Sequence, residues 1–407
     1  MAFNPLKEKG IPIEDQFMNW SQLNSKPYDK EEIDPYTRTR GILMNGIEVE
    51  AALFSHQFSR HTGDMDLRRK LALIRRAEQE QQKAVNWMIP ANESNLEVTI
   101  GYEQVAVDLT AFLARTEPDP YVKAALDFAL LEDFDHLYRY ANLMKLDEGK
   151  EASAVTRKYT EITVGRPTAL EHRYPYDDVR TYTLNNSADP ITKLHILTIT
   201  AAEQQTMNFY MNVGDRYKSK LGRGLYLEIA QIEEQHVTHY GSLMDPNATW
   251  LEQLLLHEYN ECYLYYSLMQ HEPDKEARAT WERHLGMEIE HLRIAAELMK
   301  QYEKRDPEKL LPSELPPVFK FESNIDYVRD ILQSQYNYNA MGPEFVPADK
   351  MPKDYRYYSY QKKVNSDSIP SETVIDSIID KEGTDYRQEL KGPHPVEEYR
   401  QKTTAKA

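Results

Sequence analysis

The chain matches itself at a constant shift of 155 residues without a gap, and this repeat restricts the fold more than any other feature. Asp34-Pro35 recurs as Asp189-Pro190, each a helix N-cap followed by proline at the first helical position. The predicted caps Asp119 and Asp274 obey the same shift. Two capping boxes do so as well: Ser94 with Glu97, and Thr249 with Glu252. Because caps and loop lengths recur together, the pattern indicates a tandem duplication.

The segments between the breakers have helical periodicity, and only 15 glycines occur, which is typical of an all-α protein. Each half is predicted to hold four helices: 35–61, 65–89, 95–115 and 120–146, then 190–213, 223–243, 250–270 and 275–304. This gives two tandem four-helix bundles, at 34–146 and 189–304. An N-terminal extension (1–33), an irregular linker packing on the bundles (147–188) and a Pro- and Tyr-rich C-terminal extension (305–407) complete the predicted organisation.

The composition of the chain limits the classes of binding partner that we expect. The net charge of −17 repels phosphate backbones and anionic lipid, so neither nucleic acid nor a membrane surface is expected as a partner. No apolar run approaches the roughly 18 residues that span a bilayer. The single cysteine, Cys262, cannot form an internal disulfide, and Met1–Gly10 lacks the pattern of a signal peptide. We therefore expect a cytoplasmic protein.

The second half carries a regularly spaced set of metal-ligand residues. One Glu stands on each of two predicted helices and a Glu-x-x-His pair on each of the other two: Glu203, Glu233, His236, Glu258, Glu288 and His291. Residues i and i+3 share a helix face, so each pair can present a carboxylate and an imidazole to one metal pair. The midpoints between successive Glu positions fall on predicted turns, which places the four carboxylates in one layer.

These carboxylates are predicted to face a core. Glu258 lies on the helix face of Leu255 and Cys262, and Glu288 on that of Leu285. Burying the carboxylates without counterions would cost roughly several kcal/mol each. Two divalent cations would neutralise them, and oxygen-rich sites with two imidazoles suit Fe or Mn. We predict two Fe or Mn ions here, with Fe favoured.

The same shift locates a second, weaker set of ligands in the first half. Its members are Glu48, Glu78, Gln81, Glu103, Asp133 and His136. Because Gln81 replaces a histidine, one metal would lose its imidazole. Glu261, one turn from Glu258, is interpreted either as an extra carboxylate ligand or, in the favoured interpretation, as a surface residue.

The ligand pattern of the second half resembles that of the ferritin-like di-iron carboxylate proteins, which include rubrerythrins and bacterioferritins. The resemblance implies helical bundles that bind two iron or manganese ions and react with oxygen or peroxide. In that superfamily a long crossover usually joins the second and third helices, whereas only 24 residues separate Glu233 from Glu258. Two arrangements stay open. Each half forms its own up-down-up-down bundle, or hairpins pair across the halves with 147–188 as the crossover.

The leading functional hypothesis is a di-metal oxidoreductase, of peroxidase or oxygenase type, acting on oxygen, peroxide or a small organic substrate. The chain has no Cys-x-x-Cys pair, so reducing equivalents would come from a separate electron-donor protein. The alternative is a non-enzymatic metal-binding, metal-storage or scaffold protein of the same fold. Whether the chain forms a homo-oligomer is left open.

Overall fold

The structure, a computed structural model, describes residues 3–400 and is mostly helical. The all-α prediction is confirmed. The helices in order are α1 (Trp20–Leu23), α2 (Pro35–Arg60), α3 (Met65–Asn86), α4 (Asn95–Thr116), α5 (Pro120–Glu148), α6 (Ala152–Thr156), α7 (Pro190–Gly214), α8 (Lys220–Gly241), α9 (Trp250–His271), α10 (Lys275–Tyr302), α11 (Ile325–Gln335), α12 (Arg356–Val364), α13 (Pro370–Glu382) and α14 (Glu397–Arg400). The strands β1 (Tyr338–Met341) and β2 (Glu344–Pro347) form an antiparallel hairpin in which Tyr338 pairs with Pro347.

The eight predicted helices are confirmed to within one turn at each end, and the predicted caps explain this accuracy. Ser94 accepts a hydrogen bond from the Glu97 amide at 3.2 Å, and Glu97 accepts one from the Ser94 amide at 2.7 Å. Asp119 accepts from the Tyr121 amide at 2.8 Å. Such side chains satisfy amides that have no partner inside the helix, so the cap residue determines where the helix begins.

The chain divides into two compact units that do not follow the two halves of the sequence. Unit 1 takes in the described chain up to Asn92, then Tyr182–Gln205 and Met244–Phe321. In unit 1 the hairpin α2–α3 packs with the hairpin α9–α10. Unit 2 takes in Glu93–Thr181, Thr206–Leu243 and the described chain from Glu322 onward. In unit 2 α4 packs on α5, and α5 packs on α8.

The predicted bundle boundaries 34–146 and 189–304 are corrected accordingly, because two short connections pass from one unit into the other instead of closing a turn within one bundle. Residues 87–94 join α3 to α4, and residues 242–249 join α8 to α9. Eight extended residues span at most about 29 Å, whereas the 22 residues of α3 extend over about 33 Å. Neither connection is therefore long enough to cross over along a bundle. Each one instead carries the chain from a helix of one unit to a helix of the other.

The linker and the C-terminal extension are integral parts of the two units. Residues 147–181 belong to unit 2 and residues 182–188 to unit 1. Val328, Val374 and Val396 of the predicted extension join the same buried cluster as Phe134 and Leu137 of α5. The ends of both predicted extensions, residues 1–2 and 401–407, lie outside the described residues. Within residues 3–400, no helix has the length and apolar character needed to cross a membrane.

Candidate metal centres

Every predicted ligand is buried. None of them exposes more than 1% of its surface: Glu48, Glu78, Gln81, Glu103, Asp133, His136, Glu203, Glu233, His236, Glu258, Glu288 and His291. Glu261 is equally buried at 1%, so its favoured interpretation as a surface residue is wrong. Polar groups at this depth need partners or counterions, because an isolated charge is costly away from water.

Unit 1 combines ligands from both halves of the sequence. Glu48 comes from α2, Glu78 from α3, Glu258 and Glu261 from α9, and Glu288 and His291 from α10. Two groups of side chains offer ligand atoms within 4.8 Å of one another: Glu78 with Glu258 and His291, and Glu48 with Glu261 and Glu288. Both groups could hold a metal ion.

His291 supplies the imidazole of the unit 1 cluster, and a residue outside the cluster orients its ring. His291 Nδ1 lies 3.1 Å from Glu288 Oε2, and His291 Nε2 lies 2.8 Å from Oε1 of the buried Gln16. The Gln16 amide nitrogen donates to the Ile11 carbonyl at 2.8 Å, so Gln16 Oε1 is the acceptor for the Nε2 proton. His291 therefore presents Nδ1 to the carboxylates, as a metal-binding histidine with a positioned ring does.

The carboxylates of unit 1 have few neutralising neighbours. Tyr265 donates to Glu48 and Gln81 donates to Glu288, but neither oxygen of Glu78 has a hydrogen-bond partner. Burial raises the pKa of Glu78 to about 7. Burial also raises the pKa of Glu258 well above its ordinary value. This cluster is therefore short of positive charge, which a bound cation would supply.

Unit 2 holds a cluster with two imidazoles. Two groups again offer ligand atoms within 4.8 Å and share one Glu: Glu103 with His136 and Glu233, and Asp133 with Glu233 and His236. His136 Nδ1 lies 2.9 Å from Glu233 Oε1, and His236 Nδ1 lies 3.2 Å from Glu233 Oε2. Both rings thus direct Nδ1 toward the central carboxylate. Burial raises the pKa of Asp133 to about 7.

Each of the two imidazoles in the unit 2 cluster has a second carboxylate near Nε2, the nitrogen that points away from the cluster. His236 Nε2 lies 2.9 Å from Glu132 Oε2, and His136 Nε2 lies 3.5 Å from Glu171 Oε2. Burial opposes the charge of Glu132, yet Arg173, the hydrogen bond from His236 and Arg166 hold its pKa well below the usual value. Carboxylates in this position orient a metal-binding imidazole and increase its basicity.

Glu171 is anchored in the same way as Glu132. Arg139 donates to its two oxygens at 2.7 Å and 2.5 Å. Although burial opposes its charge, Arg139 with His136 lowers the pKa of Glu171 to about 2. The carboxylate therefore stays ionised at every pH at which the protein would work. In unit 2 the groups behind the histidines are carboxylates that arginine side chains neutralise. In unit 1 the group behind His291 is the side-chain amide of Gln16.

The structure regroups the residues predicted from the sequence. Neither predicted set of six comes together as a set. The first-half set contributes three residues to each unit, whereas in the second-half set Glu258, Glu288 and His291 lie in unit 1 and Glu233 and His236 in unit 2. Glu203 lies on α7, which begins in unit 1 and ends in unit 2. It stands about two turns before Tyr210 on that helix, and its role as a ligand stays a prediction. Tyr210, in unit 2, donates to Glu103.

Several residues around the ligands were not predicted from the sequence. Gln16 lies in the N-terminal segment and Glu171 in the linker, outside the predicted helices, although the 155-residue shift relates the two residues to each other and their partners His136 and His291 to each other. Glu132 directly precedes Asp133, which is the one local signal available. Arg139 and Arg173 give no sequence signal apart from being cations near an acidic stretch.

No family model, curated protein or solved structure matches the chain. The geometry of the two clusters therefore carries the functional inference.

Proposed function

We propose that the protein is an iron- or manganese-dependent oxidoreductase with a two-metal carboxylate centre in each unit. The observation that carries this proposal is the burial of carboxylate oxygens without donors beside imidazoles whose far nitrogens are held. Both oxygens of Glu78 and one oxygen each of Glu103 and Asp133 have no hydrogen-bond partner. The resemblance of the ligand pattern to ferritin-like di-iron carboxylate proteins supports the same conclusion.

The residues present fit such a cofactor. Because four groups of buried residues could hold a metal ion, the expected metal content rises from two ions per chain to four. Glu48, Glu78, Glu258, Glu261, Glu288 and His291 would hold two ions in unit 1. Glu103, Asp133, His136, Glu233 and His236 would hold two in unit 2. A donor set of oxygens and imidazoles suits Fe and Mn. It is less suited to metals that prefer thiolate ligands.

Bound iron or manganese would supply one-electron redox chemistry toward peroxide, oxygen or a small organic substrate. The protein's own residues prepare for that chemistry in unit 2. Glu132 accepts from His236 Nε2, and Glu171 lies 3.5 Å from His136 Nε2, so these carboxylates would favour a proton on Nε2 and leave Nδ1 as the ligand atom. Their negative charge makes both imidazoles stronger donors, which favours the higher oxidation states of a bound metal. Tyr210 holds one oxygen of Glu103 and keeps the other directed at the cluster.

A cavity lies beside Tyr210, a residue that contacts the unit 2 centre. It has a volume of about 290 Å³ and is lined by Tyr210, Met211, Tyr226 and Leu227 among others. Tyr210 forms part of this wall and also contacts Glu103. A peroxide or a small organic substrate in the cavity would therefore be one side chain away from a ligand. Electrons would come from a separate donor protein, because Cys262 is the sole cysteine.

Peroxide-driven oxidation tests this function. The protein is loaded with Fe²⁺ without air and mixed with hydrogen peroxide, and the absorption of ferric iron is followed by stopped flow. We expect oxidation to be faster than that of free Fe²⁺ and to be lost in a double variant, Glu233→Ala with Glu288→Ala.

The matched control is the double variant Glu234→Ala with Glu282→Ala, since both side chains are exposed on the same two helices. If the ligand variant binds iron but is oxidised as fast as the native protein, the redox proposal fails. Metal binding without accelerated oxidation would favour a storage or scaffold role.

A further inference from the structure

The four ligand groups of the described chain differ in donor type. Both groups of unit 2 contain an imidazole, from His136 or His236, and one group of unit 1 contains His291. The remaining group, Glu48 with Glu261 and Glu288, offers carboxylate oxygens alone. Its members are 0 to 1% exposed, and Glu48 Oε2 has no hydrogen-bond partner.

Two substitutions within the repeat produce this difference. Gln81 stands where the other half has His236, and Glu261 stands where the other half has Ala106. The Gln81 amide nitrogen donates to Glu288, so Gln81 supports a ligand instead of offering a nitrogen lone pair. Unit 1 has therefore exchanged an imidazole for a carboxylate at the same layer. Glu261 thus adds a carboxylate to the cluster in which position 81 supplies no imidazole.

We propose that the two centres differ in metal selectivity, with the all-oxygen group of unit 1 retaining Mn²⁺ and unit 2 selecting Fe²⁺. This inference rests on the proposed function, since it assumes that both clusters bind transition metals. Affinity rises from Mn²⁺ to Fe²⁺ at most sites, and imidazole donors suit iron while carboxylates suit manganese. The Fe²⁺ advantage is therefore smallest where imidazole is absent, and manganese competes best at Glu48, Glu261 and Glu288.

The test is a competition for metal. The metal-free full-length protein is equilibrated without air with equal Fe²⁺ and Mn²⁺, and the bound metals are counted by mass spectrometry and by the electron paramagnetic resonance of Mn²⁺. Gln81→His should replace about one bound Mn per chain with Fe, because it restores an imidazole to the group. Gln79→His is the matched control, since it adds the same ring two residues away, off the ligand position.

A converse variant distinguishes a change in metal selectivity from the effect of misfolding. Ala106→Glu combined with His236→Gln gives unit 2 the donors of unit 1 and should raise the Mn:Fe ratio of the bound metal. Opposite shifts in the two variants support the inference, since loss of structure cannot produce both. If both metals bind but neither variant changes the ratio, the inference is overturned and the proposed function stands. If the native protein retains neither metal, both fall together.

Discussion

The metal-free protein should lose stability as the pH rises from 5 to 7.5, and Glu78 allows the size of the effect to be worked out. Burial raises its pKa from 4.5 to about 7, so between these values the folded chain binds more protons than the unfolded chain. Stability therefore falls as the pH rises through this window. For Glu78 alone the loss over this window is about 2 kcal/mol. Groups with lowered pKa values, such as Glu171, lose their stabilising contribution only below this window.

Urea unfolding of the chelated protein at several pH values measures this loss, with Glu78→Gln as the test variant and Glu282→Gln, at an exposed position, as the control. Glu78→Gln should remove about 2 kcal/mol of the decline between pH 5 and 7.5. The control should decline like the native protein. In the presence of metal the trend should reverse, because the ion displaces the proton. If Glu78→Gln and native protein decline equally, Glu78 is not a desolvated carboxyl and the reasoning is refuted.

Three further predictions concern the residues behind the ligands. Glu132→Gln should lower the metal affinity of unit 2 by about 10- to 100-fold in a competition with a chromophoric chelator, and an unchanged affinity would remove Glu132 from the site. Gln16→Leu should lower the metal affinity of unit 1 to a similar degree, whereas Gln16→Glu should preserve that affinity. An equal loss of affinity in both variants would mean that Gln16 serves packing alone. Arg139→Met should reduce the free energy of unfolding by about 3–5 kcal/mol, since Glu171 is left buried without its cation, whereas Arg69→Met at an exposed pair should change it by less than about 1 kcal/mol.

The helices and their beginnings could be predicted because the signals are local. A cap such as Ser94 with Glu97 lies within one turn of the amides that it satisfies, so a short stretch of sequence contains both partners. The inward direction of Glu258 and Glu288 followed from their apolar neighbours for the same reason. These properties do not depend on which helices finally pack together.

The pairing of the hairpins could not be decided from sequence, because residues 87–94 and 242–249 can close a turn or pass into a second unit. The ligand sets were therefore assigned by half and not by unit. The partners behind the histidines were missed for another reason. Gln16 and Glu171 reach His291 and His136 from segments outside the predicted helices, where no helical periodicity assigns them a face, although the 155-residue shift relates the two pairs.

Counting metal in unit-specific variants tests the central claim most directly. Protein loaded with Fe²⁺ and Mn²⁺ without air should hold about four ions per chain. Glu288→Ala should remove those of unit 1 and Glu233→Ala those of unit 2, and the double variant should hold none. A double variant that folds and retains the full metal content would contradict the account, because the buried carboxylates would then not be the ligands.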